Sequence, residues 1–545
     1  MVGSKDLGGH RQPGDLWLGE IPRAFRPKVS CPRGGGKREG NDADDGRGDS
    51  DPALRHRRSV NAVNLTVRQC SCQRKLTVLR RSERPADSSG LRRVAYEPLE
   101  GTPIETSGTL PRTSQLARLL AVESDVVLDT SPGDAAASWL RAGDWRIYAR
   151  PLLTGAPAGE EIERFVLPTG ASVAAVLDRE QDLPWIPFDL DEAYRNYVSE
   201  DWRQGVPPPS LSSRTLRAYY AAKPLIPRRL QIAARRIYTK RVGLPDFPAW
   251  PLDDSVLHLV RFYAFCLLLA AGAETLTFRW FWPGTFKSAA ILTHDVESAE
   301  GLRLALEIAD LEEERGLRSS FNVVASWYPV DEGVLRELRG RGFEIGLHGL
   351  RHDHSLFTTH EAFQSQLPAI DEAARAFEAQ GFRSPSTHRV HQWLGELPLS
   401  YDCSVPHSDP LEPMPGGCCT LWPYFIDDVV EVPYTLPQDH TLFTVLQRTS
   451  AADWLGQLDA IEQRHGLIHC LSHPDPGYLG DRGNRSFYAE LLDALAERPQ
   501  LWKPLPRDLV DWWRRRDARA QAENLSYGVI RRDGDGPFAS LEPPP

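Results

Sequence analysis

The sequence predicts an α/β fold. A (β/α) barrel is expected over 285–515, after a small α+β and helical accessory region over 96–284 and a disordered basic extension over 1–95, with a tail at 516–545. Three observations predict it. From about residue 285, apolar runs suited to buried strands alternate with helical patterns, at roughly 20 to 30 residues per unit, as parallel β/α packing requires. Polar residues with catalytic potential fall where those apolar runs give out, the end of a barrel strand at which active sites gather. Finally, a change of composition near residue 95 separates a basic, Gly/Arg/Asp-rich start from an acidic, Leu- and Trp-rich body.

The extension runs through "CPRGGGKREGNDADDGRGDSDPALRHRRS" without a sustained apolar period, so it buries too little surface to offset the entropy of ordering. It carries 20 Lys+Arg against 11 Asp+Glu, or +9, which leaves −19 on the remainder of a chain whose total is −10. An acidic body excludes a nucleic-acid groove, and no nucleic-acid partner is expected. The N-terminus lacks the apolar core of a signal peptide, and the eight cysteines include no C-x-x-C pair, which points to reduced thiols and a cytoplasmic location. "LVRFYAFCLLLAAGA" (259–273) carries Arg261 and is too short to span a bilayer, so it is expected as a buried helix.

The accessory region mixes strand-like "DVVLDTS", "WRIYARPLL" and "ASVAAVLD" with a basic helical piece over 212–241, which reads as a solvated face. In the barrel region, "SAAILTHDVE" is the first strand, followed by a helix with Leu302, Leu306 and Ala309 at helical spacing and Gly316 as its stop. "SSFNVVAS" is the next strand. Asp331 caps the helix "EGVLRELRGRG", and "FEIGLH" is the third strand. A helix over 360–380, stopped by Gly381, precedes "FRSP", and the helix "AADWLGQLDAIEQRHG" leads into the strand "LIHCLSHPD".

"HGLRHDH" opens a window, 348–360, that holds four of the chain's 15 histidines (His348, His352, His354 and His360), where a thirteen-residue window should hold fewer than one. His348 and His352, four apart, present two imidazoles to one cation, and a carboxylate is the natural third ligand. Alternation along a strand puts Thr293, Asp295 and Glu297 on one face and His294 and Val296 on the other, so one carboxylate can bind metal while the other acts as base. A bound Zn²⁺ lowers the pKa of its water from about 15.7 to about 7, and His473 from a distant strand can protonate a leaving nitrogen. Taken singly, H-x-x-x-H is also a polar turn, D-x-E also a helix N-terminal acid pair and His473 also a turn histidine. Their joint placement at strand ends decides for a site.

The ordered set "LTHDVE", "FEIGLHGLRHDH", "FRSP" and "LIHCLSHPD" resembles the polysaccharide deacetylase (NodB-homology, carbohydrate esterase family 4) superfamily over roughly 285–515. The resemblance implies a distorted (β/α) barrel of the NodB type with fewer than eight units, and metal-dependent removal of N- or O-acetyl groups from sugars. Position by position it implies Asp295 as general base, His348 and His352 as metal ligands, and Arg383 as the arginine that holds the base, with Pro385 shaping its turn. It further implies His473 as general acid and Leu471 as the apolar wall of the acetyl pocket, with Asp402 in place of a fourth-motif residue. One departure stands out: the common first motif T-F-D-D-G binds metal through its second aspartate, where this chain has Val296. Either Glu297 takes that role, or Asp295 binds the ion and the base lies elsewhere.

The expected function is thus a metal-dependent hydrolase, with zinc as cofactor and Glu297, His348 and His352 as ligands, deacetylating a carbohydrate of bacterial surface polysaccharide metabolism. Peripheral contact with a polysaccharide assembly system is a further expectation. The alternatives are a hydrolase of a non-sugar amide, as in allantoinases, and a catalytically silent glycan-binding relative.

Overall fold

A computed structural model describes residues 114–545 apart from 123–127, 129–132, 134, 206–227, 354, 413, 519–524 and 535. The expected extension over 1–95, almost all of "DVVLDTS", the start of the basic helical piece and His354 lie outside the described residues. Among those described, no helix is long and apolar enough to cross a membrane.

The accessory region is built on an antiparallel sheet of β1 (Ser138–Ala142), β2 (Trp145–Ala149), β3 (Gly159–Val166), β4 (Ser172–Asp178) and β5 (Leu183–Trp185), in the order β2-β1-β3-β4-β5. "WRIYA" and "SVAAVLD" form strands as their sequences suggest. The helix Ser255–Ala271, made by the long apolar run, packs its Phe262 against Trp145 and Phe165 of this sheet, with ring centroids 5.4 and 6.0 Å apart. The Trp145 indole also donates to the Ser255 carbonyl at 3.1 Å, so the sheet and the helix share one core. The described part of the basic piece is the helix Arg228–Val242.

After β6 (Thr275–Arg279) comes the curled sheet that carries the site. Its strands are β7 (Ser288–Val296), β8 (Ser320–Val323), β9 (Glu344–Leu347), β10 (Gly381–Phe382), β11 (Tyr401–Asp402), β12 (Tyr424–Ile426), β13 (Val429–Glu431) and β14 (Leu467–Ser472). They pair in the order β12-β13-β11-β10-β9-β8-β7-β14, all parallel except β12, and β15 (Leu501–Trp502) adds to the start of β7. All nine residues of β7 are buried, as expected of a strand covered on both faces.

The chain leaving β13 brings the two ends of this sheet together. The amides of Thr435 and Leu436 both donate to the His469 carbonyl of β14 at 3.1 Å, and the Tyr434 amide donates to the Val405 carbonyl beyond β11. The inward faces of β7, β9, β10 and β14 therefore look onto one interior.

The intervening helices begin where their caps predict. Ser298 accepts from the Gly301 amide to start Ala299–Glu313, and Asp331 accepts from the Gly333 amide at 2.8 Å to start Glu332–Gly340. The third helix, His360–Phe377, ends earlier than expected, with Glu378 in the left-handed conformation (φ 52°) as its cap. Gly381 is not the stop. It opens β10, where a Cβ would meet the Tyr401 ring at 2.0 Å, so glycine is needed there for close packing.

Two further features tie the barrel to the rest. Residues expected as a tail form β16 (Tyr527–Arg532) and β17 (Ala539–Glu542), and β16 pairs antiparallel with β6. Their alternation is brief and sits among glycines and prolines, which hides it in the sequence. Glu200 of the accessory region forms a buried two-pronged ion pair with Arg389 of the barrel, at 2.6 and 2.7 Å, and also accepts from the Gly417 amide.

Candidate active site

Asp295 lies one residue from the end of β7 with its carboxylate turned into the barrel. Oδ1 accepts from the Asn322 side-chain amide at 2.9 Å and lies 3.9 Å from Arg383 Nε, while Oδ2 lies 3.8 Å from His348 Nδ1. His294 turns the other way, as strand alternation demands, and binds Glu312 at 2.7 Å and Ser472 at 2.9 Å behind the sheet. Burial pushes the Asp295 carboxyl up. His348, Arg383, His473 and the Asn322 hydrogen bond outweigh it and hold the group below the usual carboxylate range.

Glu297 follows β7 and bends toward the loop after β9. Its Oε1 is 2.8 Å from His352 Nε2 and 3.8 Å from His473 Nε2. His348 donates from Nδ1 to the Arg383 carbonyl at 3.0 Å, which leaves Nε2 as a lone pair, buried and without a partner. The His352 Nε2 is also buried and is paired with the Glu297 carboxylate. Ligand atoms of Glu297, His348 and His352 all lie within 4.8 Å of one another, a spacing suited to one cation.

Electrostatics separate the two imidazoles. Burial pushes His348 down to about 4, which keeps it neutral as a ligand must be. For His352 the same burial penalty is exceeded by the Glu297 carboxylate, and the ring is pushed up. Glu297 is itself held well below the ordinary range, because His352, His473 and His348 together exceed its burial penalty.

Arg383 is wholly buried at the end of β10. Its carbonyl orients His348 and its guanidinium flanks Asp295. Pro385 supports the neighbouring turn by packing on Gly349 (φ 70°), where a Cβ would meet its ring at 2.9 Å. His473, just past β14, donates from Nδ1 to Asp439 at 2.7 Å and makes a tilted ring contact with Tyr478, centroids 4.8 Å apart. Burial would lower this ring, but the Asp439 carboxylate dominates and raises it to about 10. Leu471, on β14, is buried two residues before His473.

The sequence-predicted residues Asp295, Glu297, His348, His352, Arg383 and His473 therefore meet in one place. Two others do not. His360 pairs with Glu396 at 2.6 Å on the surface, and the Asp402 carboxylate accepts from Ser404 outside the group. The carboxylate on His473 is Asp439, which sequence reasoning passed over because it caps a short helix, His440–Val445, with no periodic pattern around it. Asn322 and Asp475 were also missed, although both sit inside quoted motifs. Asp475 accepts from the Glu297 amide at 3.0 Å and from the Ser298 hydroxyl, and so fixes the backbone that carries Glu297.

No family model and no curated protein matches the chain. Solved structures similar to it include a protein from Mycobacterium smegmatis described as a polysaccharide deacetylase, 18% identical over 44% of this chain and 95% of that one, with a TM-score of 0.37. Another so described, from Pseudomonas aeruginosa PAO1, is 16% identical over 44% and 94%, with a TM-score of 0.33. A Puue allantoinase is 15% identical over 43% and 93%, also with a TM-score of 0.33. Polysaccharide deacetylases thus stand among the structures similar to this chain, over less than half its length. At such identities the chemistry has to be read from the side chains themselves.

Proposed function

We propose that the chain is a metal-dependent hydrolase that removes acetyl groups from an N-acetylated saccharide, with 285–515 as its catalytic domain, of the distorted NodB barrel type, and 96–284 as an accessory region. One observation carries the reading: the buried, unpartnered Nε2 of His348 converges with the His352 Nε2–Glu297 Oε1 pair, 2.8 Å apart, opposite a histidine held in its charged form. Unpartnered buried nitrogens are costly unless something binds them. The donor set of two imidazoles and one carboxylate suits Zn²⁺.

His348, His352 and Glu297 would hold the cation. When bound, such an ion polarises the acetyl carbonyl and lowers the pKa of water from about 15.7 to about 7. Asp295, kept ionised and oriented by Asn322 and Arg383, accepts the proton of the attacking water at a carboxylate oxygen. His473 delivers its Nε2 proton to the departing amine, and Asp439 on Nδ1 fixes the ring for that transfer. On this assignment Glu297 replaces the missing first-motif ligand and Asp295 keeps the base role.

Metal analysis of the purified chain beside His348→Ala and Glu297→Gln, with acetate release from N-acetylglucosamine oligomers, tests the reading. Stoichiometric zinc and acetate release in the wild type, both lost in the variants, are expected. Metal content unchanged in both variants overturns the site. Retention in Glu297→Gln alone transfers the ligand role to Asp295.

A further inference from the structure

Beneath Asp295 the barrel interior holds a further buried histidine, His469 on β14, that the proposed reaction does not use. Its Nδ1 lies 3.1 Å from the Pro433 carbonyl, and its Nε2 lies 3.1 Å from Arg383 Nη2 and 2.9 Å from Thr293 Oγ1. These partners settle its protons. A carbonyl oxygen only accepts, so Nδ1 carries a hydrogen; a guanidinium nitrogen only donates, so Nε2 carries none.

The same logic explains the guanidinium. Nε donates to the Cys403 thiol at 3.3 Å, Nη2 donates to Thr293 and His469, and among the described residues no carboxylate approaches nearer than Asp295 at 3.9 Å. A fully buried cation whose hydrogen bonds go to neutral groups keeps its charge for the carboxylates around it, of which Asp295 lies within 4 Å. A charged partner in place of His469 would instead neutralise it or repel it.

We propose that His469 is a positioning residue: a neutral imidazole, protonated on Nδ1 and accepting at Nε2, that clamps the Arg383 guanidinium against the flank of Asp295. Pro433, on the segment that joins the two ends of the sheet, locks the tautomer, so closure of the barrel and orientation of the base are set by one ring. The consequence for hydrolysis rests on the function proposed above, whereas the clamp itself does not.

The test uses the full chain with ¹⁵N-labelled histidine and arginine, beside His469→Gln and His469→Leu. The glutamine amide can accept from Arg383 and donate to a carbonyl; leucine can do neither. Expected in the wild type is a neutral Nδ1–H ring signal for His469 from pH 5 to pH 9, and hindered rotation of the Arg383 Nη groups that persists in His469→Gln and is lost in His469→Leu. An imidazolium signal, the opposite tautomer, or Arg383 rotation equally hindered in the leucine variant overturns the proposal. On N-acetylglucosamine oligomers, kcat should fall by on the order of tenfold to a hundredfold in His469→Leu with KM unchanged, and recover in His469→Gln. Equal kcat in the two variants also overturns it. A wild type that releases no acetate removes the proposed function, and the spectra still decide the clamp.

Discussion

Burial alone would strip His473 of its proton, and the Asp439 carboxylate 2.7 Å from Nδ1 reverses that outcome. Asp439→Asn should therefore act through the ring. With the carboxylate gone, Glu297 and Asp295 alone oppose the burial penalty, so the alkaline limb of the pH–rate profile, expected near pH 10 in the wild type, should move to lower pH. A fall in kcat of about a hundredfold at pH 8 should accompany it. A pH–rate series on both proteins checks this, and an unmoved limb would assign the acid role elsewhere. His473 was legible from sequence because it ends an apolar strand, where polar residues are conspicuous. Asp439 was not, since the contact spans 34 positions and joins a short helix's cap to the residue after a strand.

At the scale of the elements, Glu344 at the start of β9 shows how a strand can place an acid against its own chemistry. Oε1 accepts from the Tyr401 hydroxyl at 2.8 Å and Oε2 from the Arg507 amide at 3.1 Å, yet burial dominates and pushes the carboxyl up to about 7. The raised value means that the folded chain keeps a proton the unfolded chain gives up near 4.5. Stability should fall as pH rises between these values, by on the order of 3 kcal/mol in all, and level off above the upper one. Glu344→Gln should remove that slope and raise the thermal midpoint at pH 8, as melting curves across pH would show. The strand itself was legible in "FEIGLH", and the cap of the helix before it in Asp331. The end of the helix His360–Phe377 was misread at Gly381, because left-handed Glu378 carries no residue-type signal and the glycine serves Tyr401 instead.

Across the whole molecule, the Glu200–Arg389 pair joins the accessory region to the barrel with both side chains almost fully buried. Removing one partner leaves a buried unpaired charge, so Glu200→Gln should cost about 3–5 kcal/mol, while the double variant Glu200→Leu/Arg389→Leu should cost less than the single one. Denaturant unfolding of the three proteins would measure the difference. No sequence pattern announces such a pair, since its members are 189 positions apart. Closure of the curled sheet through Thr435 and Leu436 was equally hidden, because it depends on a segment with no regular structure of its own.

The pairing of β16 with β6 has a practical corollary for anyone shortening this chain. A product cut after residue 517 would lose the ribbon that saturates one margin of β6, baring the main-chain groups of Thr275–Arg279. It would also lose Phe538, which packs on Trp145. Bare strand margins recruit strands from other molecules. Such a fragment would keep Asp295, Glu297, His348, His352, Arg383 and His473 and still be expected to precipitate.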